Sequence, residues 1–125
     1  GPIRHRLRRL PEPPLWPWAT GVITNIGRAG GYGKQVIIRH DNGLESLYGH
    51  MSRFAKSMKN GKRVRQGQTI GYVGATGTAT GPHLDFRIRK QGQFVNPDKL
   101  IIPAIRRWKT THADYKLVVH AVDAI

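Results

Sequence analysis

His83-Leu-Asp-Phe-Arg-Ile-Arg-Lys90 alternates without a break. Leu84, Phe86 and Ile88 fall on one side of an extended chain; His83, Asp85, Arg87 and Arg89 fall on the other. That period of two is the signature of a half-buried strand. Gly81-Pro82 before the octet and Gln91-Gly92 after it punctuate both ends. Outward from it, Gly74-Ala-Thr-Gly-Thr-Ala-Thr-Gly81 is built from small residues and reads as a loop. Gln68 to Val73 reads as a strand between Gly67 and Gly74. Residues 51–67 read as a connector rich in Lys and Arg, with a turn at Asn60-Gly61.

Further upstream, Lys34 to His40 and Leu44 to His50 form a predicted hairpin around Asp41-Asn42-Gly43, a strong turn signal. Val36 and Ile38 share its apolar face. Gly27 to Gly33 holds four glycines and must be a turn or loop. Gly21 to Ile26 is rich in β-branched residues, which suit a strand. Residues 1–17 read as a basic and proline-rich lead-in, because Pro11, Pro13, Pro14 and Pro17 oppose a regular helix or central strand. After Asn96-Pro97-Asp98 a short helix is expected over 98–109, interrupted by Pro103. Leu117 to Val122 fits either a last strand or a helical turn. The expected architecture is all-β, mainly an antiparallel sandwich or partly closed barrel with a substrate groove and a minor C-terminal helix. The groove should run between the 27–33 loop and the 74–81 loop. The expected organisation is a lead-in at 1–17, a core at 18–100 and an extension at 101–125.

Composition narrows function further. Lys and Arg number 21 against 7 Asp and Glu, a net charge of +14 over 125 residues. Such a chain is drawn to polyanions: nucleic acid, anionic wall polymers or acidic lipid headgroups. Sequence-specific nucleic-acid readers add stacking aromatics or a recognition helix, and Trp16, Trp18 and Trp108 fall in no such pattern. Cysteine is absent, which excludes disulfides, thiol catalysis and Cys-ligated zinc. No apolar run approaches the roughly 18 residues that span a bilayer. No secretory signal is visible, and Gly1-Pro2 reads as the start of a fragment.

His83 and Asp85, two residues apart, leave the same face of their strand beside a loop of small residues. An imidazole and a carboxylate on one open face can ligate zinc or share a proton, and they can equally be structural. His50, in Tyr48-Gly49-His50, ends another expected strand.

The segments GGYGKQVIIRHDNG, LYGHMS, VRQGQTIGYVGATGTATGPHLDFRI and VNP follow one another with short gaps. Together they closely resemble the lysostaphin/LytM-like zinc endopeptidases, over about Pro14 to Leu100. The resemblance implies a β-rich domain of the bacterial cell envelope that cuts peptidoglycan peptides with a zinc-activated water. It makes His50 and His83 the catalytic histidines, the first matching the family's Tyr-x-His and the second the start of its His-x-His. It puts Tyr32, Lys34, Thr76 and Thr80 along the substrate groove, and it gives His40 a structural role. VRQGQTIGYVG also resembles half of a lipoyl or biotinyl carrier domain, a kinship of fold in which the carrier lysine is not evident.

Three departures from the family pattern matter. The second histidine of His-x-His, a zinc ligand in the family, is Asp85 here. The acidic residue that often follows is Arg87. The upstream His and Asp ligands would fall among Arg4 to Arg9, where His5 is the only histidine; no Asp occurs before Asp41. An arginine-rich segment repels a dication. The sequence therefore supports two functions: a zinc endopeptidase, or a LytM-like module without metal that binds the wall or activates an amidase partner. Asp85 is the one candidate metal ligand in the core.

Overall fold

The computed structural model describes residues 12–77 and 83–113, and the backbone of 116–119. Nine strands among these residues form one curled, mainly antiparallel sheet. They are β1 (Pro14–Leu15), β2 (Gly21–Arg28), β3 (Lys34–Arg39), β4 (Leu44–Phe54), β5 (Arg63–Val64), β6 (Gly71–Val73), β7 (His83–Lys90), β8 (Gln93–Val95) and β9 (Lys116–Val119). One helix, α1, spans Pro103–Thr111. The expected all-β architecture with a minor C-terminal helix is what the chain adopts.

β4 organises the sheet. On one side it pairs with β3, from Glu45 opposite Arg39 to Met51 opposite Lys34. On the other its first half pairs with β7, from Leu44 opposite Lys90 to Gly49 opposite Asp85. Its second half pairs instead with β6, from Met51 opposite Val73 to Phe54 opposite Gly71. The fork falls at Gly49-His50, where the pairing with β3 also slips. The expected strand stopped at His50, and the connector was expected to begin at Met51. β4 instead runs on through Phe54, because the bulge restarts pairing in a new register.

The expected strand from Gln68 shortens to Gly71–Val73, since Gln68 N–H turns back to the Arg65 carbonyl at 3.0 Å. Pro103 begins α1 rather than interrupting it. A proline at the first helical position needs no hydrogen-bond partner and has a suitable φ already. The segment left open at Leu117 is extended: β9 lies parallel to β7, with Leu117 opposite Leu84.

The core holds Ile23, Val36, Ile38, Tyr48, Leu84, Phe86 and Ile88, together with Leu15 from β1 and Trp108 from α1. Trp108 is fully buried, its ring 4.2 Å from that of Phe86. Truncating a buried aromatic of this kind costs about 3–5 kcal/mol, so α1 is held to the sheet chiefly through this side chain.

Two histidines are built into the core as neutral rings. His40 bridges the Thr20 carbonyl at 2.8 Å and Ser46 Oγ at 2.7 Å. His112 packs between Trp16 and Trp108. Its Nδ1 donates to the Trp108 carbonyl at 2.8 Å, while its buried Nε2 finds no partner among the described residues. Burial lowers the pKa of both from the usual 6.5, outweighing the backbone carbonyls that favour the charged ring. For His40 the nearby Asp41 and Glu45 carboxylates oppose the shift as well. Below pH 6.5 the unfolded chain takes up protons that the folded chain refuses, so stability falls as the pH drops towards the folded values. Each histidine contributes a slope of at most about 1.4 kcal/mol per pH unit. Thermal melts between pH 7.5 and 5 should show this decline, and His112→Gln should make it shallower. An unchanged slope in that variant would refute the assignment.

Candidate active-site groove

The groove forms where the 27–33 loop meets the 74–77 segment. Gly33 has φ +63°, and a side chain there would place its Cβ 2.4 Å from the Thr76 carbonyl carbon. Gly77, at φ +79°, lies equally close to Gly33. Only glycine permits both the left-handed backbone and the contact. Thr76 fastens the joint: its hydroxyl donates to the Met51 carbonyl at 2.6 Å and accepts from the Lys34 amide at 3.0 Å. Lys34 Nζ donates to the Ser52 carbonyl at 3.0 Å. Lys34 and Thr76 thus brace the groove from behind. Its wall is Gly31, Tyr32, His50, Asp85 and Arg87, around a cavity of roughly 210 Å³. Thr80, also expected there, lies outside the described residues, as do His5 and the arginines around it. A larger cavity of about 390 Å³ sits along α1, lined by residues such as Pro97, Ile101 and Lys109, away from the histidines.

The structure brings His50, His83 and Asp85 together. The two imidazole rings lie 4.6 Å apart. His50 adopts φ +57°, uncommon for a residue with a side chain. Its Nδ1 lies 2.6 Å from the Thr76 carbonyl, which can only accept, so Nδ1 carries the proton. In the neutral ring Nε2 then turns its lone pair towards Asp85 Oδ2, 3.7 Å away, beyond hydrogen-bonding reach.

Asp85 has another partner. Arg87, on the same face of β7, places Nε 3.1 Å from Oδ1 and Nη2 3.5 Å from Oδ2. The Arg87 guanidinium also stands 4.8 Å from the centre of the Tyr32 ring and 5.5 Å from that of Phe94. The Asp85 side chain is 6% exposed and that of Arg87 20%, so the pair is largely withdrawn from water. From the sequence Arg87 is legible only as added positive charge; its engagement of Asp85 follows from their shared strand face.

A catalytic zinc site needs three protein ligands and an open position. Among the described residues no three His, Asp or Glu side chains are grouped to hold a metal ion. Asp85, the carboxylate that the described residues place in the groove, already faces a permanent cation. These residues do not fit a zinc ion as they stand.

A curled sheet with paired histidines in a glycine-walled groove is the architecture of the lysostaphin/LytM-like peptidases. The family model described as Peptidase family M23 matches residues 12–97, and the chain belongs to that family. It is 44% identical over 112 residues to the DD-carboxypeptidase/endopeptidase Mpg of Neisseria meningitidis, a match covering 90% of this chain and 25% of Mpg. Over 67 residues it is 46% identical to the murein hydrolase activator EnvC of Escherichia coli, covering 54% of this chain and 16% of EnvC. Among solved structures it is similar to the catalytic domain of the prophage-encoded M23 protein EnpA from Enterococcus faecalis. There the TM-score is 0.64 and the identity 36%, covering 70% of this chain and 68% of that one. The chain spans a quarter or less of the length of these two curated relatives.

Replacing Thr76 by Val removes the donor to Met51 and the acceptor for Lys34 while keeping shape. The expected loss is about 1–3 kcal/mol, from leaving these backbone groups unpaired. Chemical denaturation would measure it. Nitrogen NMR shifts of His50 should change as its carbonyl partner moves; a variant as stable as the parent would show the joint to be dispensable.

Proposed function

We propose that this domain is a peptidoglycan-directed module of peptidase family M23 that holds wall peptides in its groove without a zinc ion of its own. The Asp85–Arg87 ion pair carries this reading. At the position where the family resemblance calls for a metal ligand, the chain has a carboxylate, and two residues on it has the cation that neutralises it. Zinc would have to displace a guanidinium held on one side by Asp85 and flanked by Tyr32 and Phe94. Breaking such a largely buried pair is costly. Tyr32, His50 and Arg87 wall the groove and can hold a peptide. The similarity to EnvC, a murein hydrolase activator by name, supports action through an amidase partner. We place this activity in the bacterial envelope, where peptidoglycan lies. The strongly basic composition adds anionic wall polymers to the proposed partners.

The retained pairing of His50 with His83 favours a second reading: peptide-bond hydrolysis with zinc, these two acting as the catalytic histidines and Asp85 as one ligand. The similarity to Mpg, an endopeptidase by name, supports it.

Calorimetric zinc titration near pH 7 separates the two, run on the parent chain and on Asp85→Asn. It should be paired with co-sedimentation on purified peptidoglycan and assay of released peptides. The module predicts peptidoglycan binding, no stoichiometric zinc and no released peptide. One-to-one zinc binding that Asp85→Asn abolishes, with peptide release lost in a folded His83→Gln variant, would establish the enzyme instead.

A further inference from the structure

From Ser46 to Leu84 the chain contains no Asp or Glu, yet it holds six Lys and Arg residues. One of them, Arg53, is already engaged: its Nε lies 3.3 Å from a Glu12 carboxylate oxygen, and its guanidinium covers the Tyr72 ring. The other five, Lys56, Lys59, Lys62, Arg63 and Arg65, belong to β5 and the turns on either side of it. None of the five pairs with a carboxylate among the described residues. Lys56, Lys59, Arg63 and Arg65 are exposed.

The fold presents these charges on a fixed frame. Ile23 N–H donates to the Lys62 carbonyl at 2.9 Å, and Gly61 N–H donates to the Ile23 carbonyl at 2.7 Å. Beyond β5, Arg65 N–H donates to Gln68 Oε1 at 3.0 Å, and Gln66 Nε2 donates to the Trp18 carbonyl at 3.0 Å. Val64 is fully buried beneath its charged neighbours. The face lies beside the start of β2, whereas the groove is approached from the far end of β2, where Arg28 pairs with Lys34. Ile23 and Arg28 are five strand steps apart, roughly 17 Å.

What the face lacks selects its partner. Residues 55–71 contain no aromatic side chain, so there is no platform on which bases stack. The exposed large hydrophobic residues of the described chain are Ile101 and Ile102, outside this segment, so nothing here inserts into a bilayer. Five cations within ten residues of chain, on a hydrogen-bonded frame with neither stacking nor insertion, match a flexible linear polymer of repeating anions.

We propose that this edge docks the domain on a phosphodiester-linked anionic wall polymer, leaving the groove free for peptide. The choice of polymer rests on the proposed action at the wall; the site does not depend on what the groove does.

Binding of purified poly(glycerol phosphate) to the whole chain tests this, measured as a function of salt. One variant carries Lys56→Gln, Lys59→Gln, Arg63→Gln and Arg65→Gln. A control carries Arg106→Glu and Arg107→Glu on α1, which lowers net charge by the same four units. The parent should bind with a steep salt dependence. The first variant should bind about tenfold or more weakly with a shallower slope, and the control close to the parent, because only local contacts release counterions. Equal loss in both variants would mean that net charge alone is responsible, and the site would be wrong. No binding by the parent, or equal or tighter binding to duplex DNA or to phosphatidylglycerol vesicles, would also overturn the proposal. Co-sedimentation with peptidoglycan stripped of such polymers reports on the groove separately. Loss of that binding alone would defeat the groove reading and leave this one standing.

Discussion

β4 cannot serve two sheet partners on one edge without a break, and the break is His50. Up to Gly49 its edge hydrogen-bonds to β7; from Met51 it hydrogen-bonds to β6. The change of partner requires a local turn of the backbone, made with His50 in the left-handed region. For an L-residue that conformation costs roughly 1–2 kcal/mol. The bond from His50 Nδ1 to the Thr76 carbonyl helps to offset it, and Thr76 is itself fixed to β3 and β4. The fork that lets the sheet curl is therefore the same feature that aims an imidazole into the groove. Removing the groove's central residue without disturbing the sheet is correspondingly hard.

From this constraint the electrostatics follow. Gly49 stands opposite Asp85, so β4 and β7 must bring His50 and Asp85 near each other whatever else occupies the site. A buried carboxylate at this point invites a cation. In a metallopeptidase that cation is zinc. Here Arg87 provides one from the same strand face, and its position against Tyr32 limits its freedom to leave. Asp85 and Arg87 neutralise each other, so the pair adds no net charge to the groove, and removing either partner alone would leave a largely buried charge uncompensated.

Much of this was legible in the residues, for reasons that differ by element. β7 could be read because it is half-buried along its length and its alternation is unbroken. The hairpin of β3 and β4 could be read from Asp41-Asn42-Gly43, with Asn42 at φ +63° and Gly43 at φ +73° as such a turn demands. The continuation of β4 could not, because the bulge breaks the alternation: Ser46 through Met51 are all buried. The parallel partner of β7 was equally hidden, since no turn links β9 to it. α1 placed Ile105, Trp108 and His112 on one face, a helical spacing that Pro103 obscured by suggesting an interruption. His50, His83 and Asp85 were found from motif order, but motif order says nothing about φ, or about which neighbour neutralises which.

Motifs record residue types and their order, and in the folded chain the His50 and His83 rings lie 4.6 Å apart. They do not record the charge state of the cluster, which depends on pairs such as Asp85–Arg87 whose meaning lies in a 3.1 Å contact. A chain can therefore keep the sheet and the paired histidines of this fold while the carboxylate beside them is paired within the protein itself. Gly33, Gly77, Thr76 and the left-handed His50 join the loops to the sheet whatever occupies the groove. The presence of such residues is evidence for the fold first, and only the unpaired donors of a site speak for the metal.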